Sequence, residues 1–250
     1  MKLDVLIDYL DDYLDIGIFQ DDLLNGLEVG SLTDEVENIS LAVRLNEKVI
    51  ERAGENESDL LIVHHGLFEA GDAKPIVGDK YELLKGLMRA ELNLYTCHLP
   101  LDAHPEVGNN ITLARMIEIE DVVPFGFYRG GPIGFRGHFA RDILLDDLIE
   151  RINKGLNTES KLIRSEGKDT VKTAAVVSGR GAFALAEAIE YDIDLLITGE
   201  PSQGTYHPAQ QGGVSLLFAG DYATERVGME ALANKLSDEF NLNVNFIDIE

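Results

Sequence analysis

The chain has 250 residues, 45% of them apolar, and a formal net charge of −24 from 45 acidic against 21 basic side chains. That length and apolar fraction suffice for one large or two modest cores, and so negative a field repels phosphate backbones, making nucleic acid a poor partner. The one cysteine, Cys97, excludes an intramolecular disulfide and any multi-cysteine zinc or iron–sulfur site, so a metal here would need imidazole and carboxylate ligands.

In chain order, the first apolar run rich in β-branched residues covers 39–45, and a second, 59–63, ends in His64, His65 and Gly66. A helical period over 80–88 leads to a third run at 92–96, followed by His98, Asp102 and His104, with the next helix expected to begin near Pro105 and Glu106. Residues 126–137 hold five glycines around Pro132. Glycine-rich backbone resists helix and marks turns, so this segment is the expected boundary between domains 1–125 and 126–250. Beyond it, runs at 173–177, 194–198, 215–219 and 244–249 alternate with helical periods at 183–191 and 224–240. The stretch SGRGAF, 178–183, reads as a tight strand-to-helix connection more readily than as an anion site around Arg180. Strand–helix alternation predicts the α/β class, with parallel or mixed sheets. No apolar run reaches the roughly 20 residues a membrane helix needs, and no signal-like segment is present, so a cytoplasmic protein is expected. Acid spread along the whole chain is the balance expected of a halophilic source, or equally of an ordinary acidic enzyme.

Open α/β sheets bind ligands beyond the carboxyl ends of their strands. There this chain places His64 and His65; His98, Asp102 and His104; Glu200 and His207; and Asp221 and Glu225. Successive side chains of a strand point to opposite faces, so His64 and His65 are read as serving two neighbouring metals, one each, with Gly66 letting the chain turn away. Two solvated imidazoles are the alternative. Asp221 and Glu225, spaced i, i+4, share one face of a helix starting at Gly220 or Asp221; alone, they read equally as an acidic first turn favoured by the helix dipole. Asp102 by itself could be a turn or cap residue. His138 is read as structural.

The ordered set NGLEVG (25–30), LLIVHHGLF (60–68), YTCHLPLDAHPEVGNN (95–110), LLITGE (195–200) and FAGDYATERVGMEAL (218–232) resembles the NIF-three-like dinuclear metal proteins, often labelled GTP cyclohydrolase type-two homologues. The resemblance implies two α/β domains with mixed sheets, a metal-binding cleft between them, and commonly a toroidal homohexamer. It makes His64, His65, Asp102 and Glu225 metal ligands and puts His98 beside them, with Glu200 and His207 in a later Gly-Glu…His segment. The family's usual histidine four residues before the glutamate is Asp221 here, which keeps an oxygen ligand and hardens the set toward Mn²⁺, Fe²⁺ or Mg²⁺. The resemblance implies a pair of divalent ions per chain, manganese, iron or zinc; such a two-metal site activates bound water, so a metal-dependent hydrolase of a small molecule is expected, with His98 or His207 as general acid or base. A non-catalytic metal-binding scaffold or metal-delivery protein is the competing reading. No G-x-x-x-x-G-K-[ST] loop supports nucleotide binding independently.

Overall fold

The computed structural model describes residues 1–71 and 74–250. Along the chain these form α1 (Leu3–Leu14), β1 (Gly26–Val29), β2 (Asn38–Arg44), α2 (Glu47–Glu55), β3 (Leu60–His65), α3 (Asp79–Arg89), β4 (Asn93–Thr96), α4 (Leu99–Ala103) and α5 (Asn109–Met116). Then follow β5 (Glu120–Tyr128), β6 (Gly131–Leu144), α6 (Leu145–Leu156), β7 (Lys161–Ile163), β8 (Thr170–Val177), a 3-10 turn at Gly181–Ala184 and α7 (Leu185–Glu190). The chain closes with β9 (Leu195–Thr198), α8 (Tyr206–Gly212), β10 (Ser215–Phe218), α9 (Asp221–Glu239) and β11 (Asn243–Phe246). Among the described residues no helix is long and apolar enough to cross a membrane.

The fold is α/β with two mixed sheets, as the alternation predicts, and it divides into two compact units. The first comprises Met1–Leu101 and Met229–Glu250. Its sheet runs β1-β4-β3-β2-β11, with β1 antiparallel to β4 and the other pairs parallel. The inner strands are nearly continuous apolar runs because both faces are covered: Leu60, Leu61, Ile62 and Val63 of β3 are fully buried, Leu61 and Val63 packed with Val49 and Ala53 of α2 and Leu87 of α3. Asn46 starts α2 by accepting the Val49 amide at 3.0 Å, an N-cap that satisfies one of the helix's orphan donors.

The second unit is Asp102–Gly228. Its sheet runs β5-β6-β8-β9-β10-β7, parallel at β8/β9/β10 and antiparallel elsewhere. Leu145, Leu148, Ile152 and Leu156 line one side of α6 at three- and four-residue spacing and are buried with Phe139, Val171 and Val176.

This division departs from the expected boundary at 126–137. That segment lies inside the second sheet, in the antiparallel ladder of β5 with β6. Its glycines serve close strand approach: a Cβ on Gly134 would strike the Val176 carbonyl, and one on Gly137 the Glu120 carbonyl. The helix expected at Pro105 is also displaced. Asp102 sits within α4 and the next helix starts at Asn109, because the His104 ring accepts the amides of Glu106 and Val107 (both 3.2 Å) and holds residues 104–107 in a turn.

Candidate metal centre

In the first unit the geometry follows from strand register. β3 and β4 are parallel with Val63 opposite Thr96, so His64–His65 and Cys97–His98 leave the sheet at the same carboxyl edge. The rings of His64, His65 and His98 form a triangle with centroids 4.7, 5.0 and 5.1 Å apart. Each offers one ring nitrogen, and the three nitrogens lie within 4.8 Å of one another. His64 and His65 are the last two residues of β3, and their rings meet edge-on.

Two of these rings have their orientation fixed from behind. His64, fully buried, has Nδ1 2.8 Å from the Cys97 carbonyl. A carbonyl only accepts, so the proton is on Nδ1 and the lone pair on Nε2, the state a metal-ligating imidazole requires. His98 has Nδ1 2.8 Å from Asp21 Oδ1. Burial opposes ionisation of Asp21, whose side chain is only 3% exposed, yet hydrogen bonds from His98, Asn25 and the Leu23 amide hold its carboxyl well below the usual carboxylate range. Asn25 also accepts the His98 amide at 2.7 Å. Gly66 is required by contact: a Cβ there would meet Thr96 Oγ1 and come within 2.6 Å of the Glu28 carboxylate. Glu28 in turn accepts the amides of Leu67 (2.7 Å) and Phe68 (3.1 Å), fixing the turn after the histidines.

In the second unit, β8, β9 and β10 end level, with Val177 and Phe218 both opposite Thr198. Their exits are tied together: the Gly199 and Glu200 amides donate to the Gly179 carbonyl, and the Gly220 amide to the Gly199 carbonyl, at 2.9 to 3.1 Å. α9 begins at Asp221 as expected, and its first turns carry Asp221, half-buried, and Glu225, 4% exposed. Both carboxylates face Gly179, whose φ is +57° and where a Cβ would lie 2.5 Å from Glu225 Oε1 and 3.6 Å from Asp221 Oδ1. Asp102, 5% exposed, accepts from Asn109 Nδ2 (2.8 Å) and Ser178 Oγ (2.9 Å), both at Oδ1. Asn110 donates to the Asp102 and Ile133 carbonyls and accepts the Ser178 amide, binding α4, β6 and the end of β8 into one network.

Not every expected residue joins a group. His207 is exposed at the start of the seven-residue α8, edge-on to Tyr206, and among the described residues it belongs to no cluster of potential ligands. Glu200 pairs with Arg180 at 3.0 Å. His138 lies 3.7 Å from the exposed Asp121. Asp21, Asn25, Asn109 and Asn110 were not anticipated. The asparagine pair stood in the GNN of the quoted motif, where two amides opening a helix could have been read as carboxylate anchors.

The donor chemistry fits divalent metal. Imidazole nitrogens with their tautomer set and buried carboxylates suit zinc, iron or manganese, and the one thiol, buried Cys97, is among the described residues in no cluster of potential ligands.

The profile of the DUF34/NIF3 (NGG1p interacting factor 3) family matches residues 1–250. A protein of Deinococcus radiodurans called GTP cyclohydrolase 1 type 2 homolog is 41% identical over 98% of this chain and 92% of its own length, and a Pyrococcus abyssi protein of the same name is 39% identical over 99% and 98%. A crystal structure from Thermus thermophilus superposes with a TM-score of 0.89 at 38% identity, covering 100% of this chain and 99% of its own. The solved protein ybgI, described as of unknown function, superposes at 0.92 with 33% identity and the same coverage. On sequence and fold together, the chain belongs to the DUF34/NIF3 family.

Proposed function

We propose that the chain is a metal-dependent hydrolase that holds two divalent ions through His64, His65, Asp102, Asp221 and Glu225. The observation that carries this reading is the convergence of imidazoles at the carboxyl edge of the first sheet, with the His64 lone pair placed by the Cys97 carbonyl. The buried Glu225 beside Asp221 and the anchored Asp102 are oxygen donors of the kind a thiolate-free divalent site takes along with imidazole. Divalent ions held this way acidify bound water and stabilise charge on a reacting oxyanion. The chain's own part is to fix the ligands: Asn109 and Ser178 hold Asp102, and Gly179 keeps the Glu225 carboxylate clear of side chains. His207, exposed on α8, is the imidazole we assign to proton transfer.

The relatives' name makes GTP the first substrate to test, with other nucleotides and phosphoesters beside it. Turnover that needs added Mn²⁺, Fe²⁺ or Zn²⁺ and is lost in Glu225→Ala supports the hydrolase. Tight metal binding without turnover across that panel would replace it with a metal-binding scaffold. We further propose the homohexamer that the sequence resemblance implies, which light scattering of the purified protein reads directly.

A further inference from the structure

The role of His98 can be argued from what holds it. Its ring sits within about 5 Å of both His64 and His65, centroid to centroid, and one nitrogen from each of the three rings lies within 4.8 Å of the others. Behind it stands Asp21, a nearly inaccessible carboxylate that takes donors from four places: the His98 ring, the Asn25 amide group, and the backbone amides of Leu23 and Leu99 at 3.1 Å each. Each carboxyl oxygen already takes an obligate N–H donor, Leu23 at Oδ1 and Asn25 and Leu99 at Oδ2, so toward the His98 ring Asp21 is the acceptor. The His98 proton is therefore on Nδ1, and the lone pair is on Nε2. The His98 amide is itself fixed by Asn25, so backbone and ring are located from the same short segment, residues 21–25.

Carboxylate, imidazole and metal in series is a recurrent arrangement: the carboxylate sets the tautomer, orients the ring and raises its basicity as a ligand. The same logic operates at His64, where a backbone carbonyl takes the carboxylate's place. We propose that His98 is a metal ligand acting with His64 and His65, and that Asp21 is the residue that positions it. This rests on the metal-binding reading above and changes it in one respect. The sequence suggests His98 as a general acid or base, whereas here it becomes a third nitrogen ligand, giving the first unit an all-imidazole set that favours zinc or iron over magnesium.

The test compares full-length wild type with His98→Gln and Asp21→Asn. Chelator competition with Zn²⁺ and Co²⁺ gives affinity, X-ray absorption of the loaded protein counts imidazole ligands, and ¹⁵N spectra of the metal-free protein report the protonated nitrogen of His98. The expected result is an affinity loss of about 10- to 100-fold in each variant, one fewer imidazole scatterer in His98→Gln, and a shift of the His98 proton toward Nε2 in Asp21→Asn. The double variant should lose little more than either alone. His98→Gln replaces a ring that is 21% exposed, so it decides the matter even if Asp21→Asn fails to fold. Unchanged affinity and imidazole count in His98→Gln, with turnover lost, would overturn the proposal and return His98 to proton transfer. A wild-type protein that takes up no metal after reconstitution would instead overturn the underlying metal reading.

Discussion

The two units place their candidate ligands by different means. In the first, imidazoles are set by strand register and by acceptors behind the rings, the Cys97 carbonyl and the Asp21 carboxylate. In the second, Asp221 and Glu225 are set by helical spacing at the start of α9 and by the absence of a side chain at Gly179. A histidine ligand needs one particular nitrogen deprotonated, so its site must carry a hydrogen bond that chooses the tautomer. A carboxylate needs only clearance and position. The first unit should accordingly tolerate less.

The sharpest contrast is between two glycines. Gly66→Ala sets a Cβ against Thr96 Oγ1, fully buried on β4, and against a Glu28 carboxylate already committed to two backbone amides. Neither can retreat cheaply, and we expect a loss of about 2–3 kcal/mol in denaturant unfolding. Gly179→Ala meets the far end of the Glu225 side chain, which can move, so the cost is mainly that of a left-handed backbone, about 1–2 kcal/mol. Metal affinity should fall in both variants. Equal stability losses would break the contrast.

Two half-buried carboxylates sharpen it through pH. Glu28 and Asp194 each accept two backbone amides. Burial dominates at Glu28 and pushes its pKa up, the distant Lys80 and its hydrogen bonds only partly offsetting this. At Asp194 burial is outweighed by the hydrogen bond and charge of Lys168, together with the amides of Lys172 and Thr173, and the pKa falls. A lowered carboxylate stabilises the fold above its unfolded pKa of about 4 and loses that contribution as pH falls through the folded value. Asp194→Asn should therefore cost about 1–2 kcal/mol at pH 7 and progressively less in acid. A raised carboxylate has the opposite sign, so Glu28→Gln should compare better with wild type as pH rises from 4 to 7. Unfolding midpoints across pH 2–7 check both slopes.

The smallest effect on stability is expected at Asp221. It is half-buried on the first turn of α9, and Asp221→His should leave the melting temperature nearly unchanged while moving preference from Mn²⁺ toward Zn²⁺. Competition titration of the two ions measures it, and identical selectivity would make Asp221 an ordinary helix-start residue.

How much of this was legible in the sequence follows the range of the interactions involved. The β-branched runs that became β2, β3, β4, β8, β9 and β10 are local signals, and so is the i, i+4 pair opening α9. β5 and β6 were hidden because their glycines look like a linker until the strands they approach are known. The anchors were hidden for the same reason. Asp21 lies 77 residues from His98, and Ser178 lies 76 from Asp102, so no local pattern marks them. The edge-on meeting of the His64 and His65 rings at the end of β3 depends on side-chain orientation, which no local pattern marks.

The central claim is that these imidazoles and carboxylates are metal ligands. Elemental analysis of gently purified protein, repeated after reconstitution with Mn²⁺, Fe²⁺ or Zn²⁺, tests it most directly. The account predicts close to two divalent ions per chain, falling clearly below that in Glu225→Ala and in His64→Ala. A content near zero after reconstitution, or one unmoved by either substitution, would contradict it.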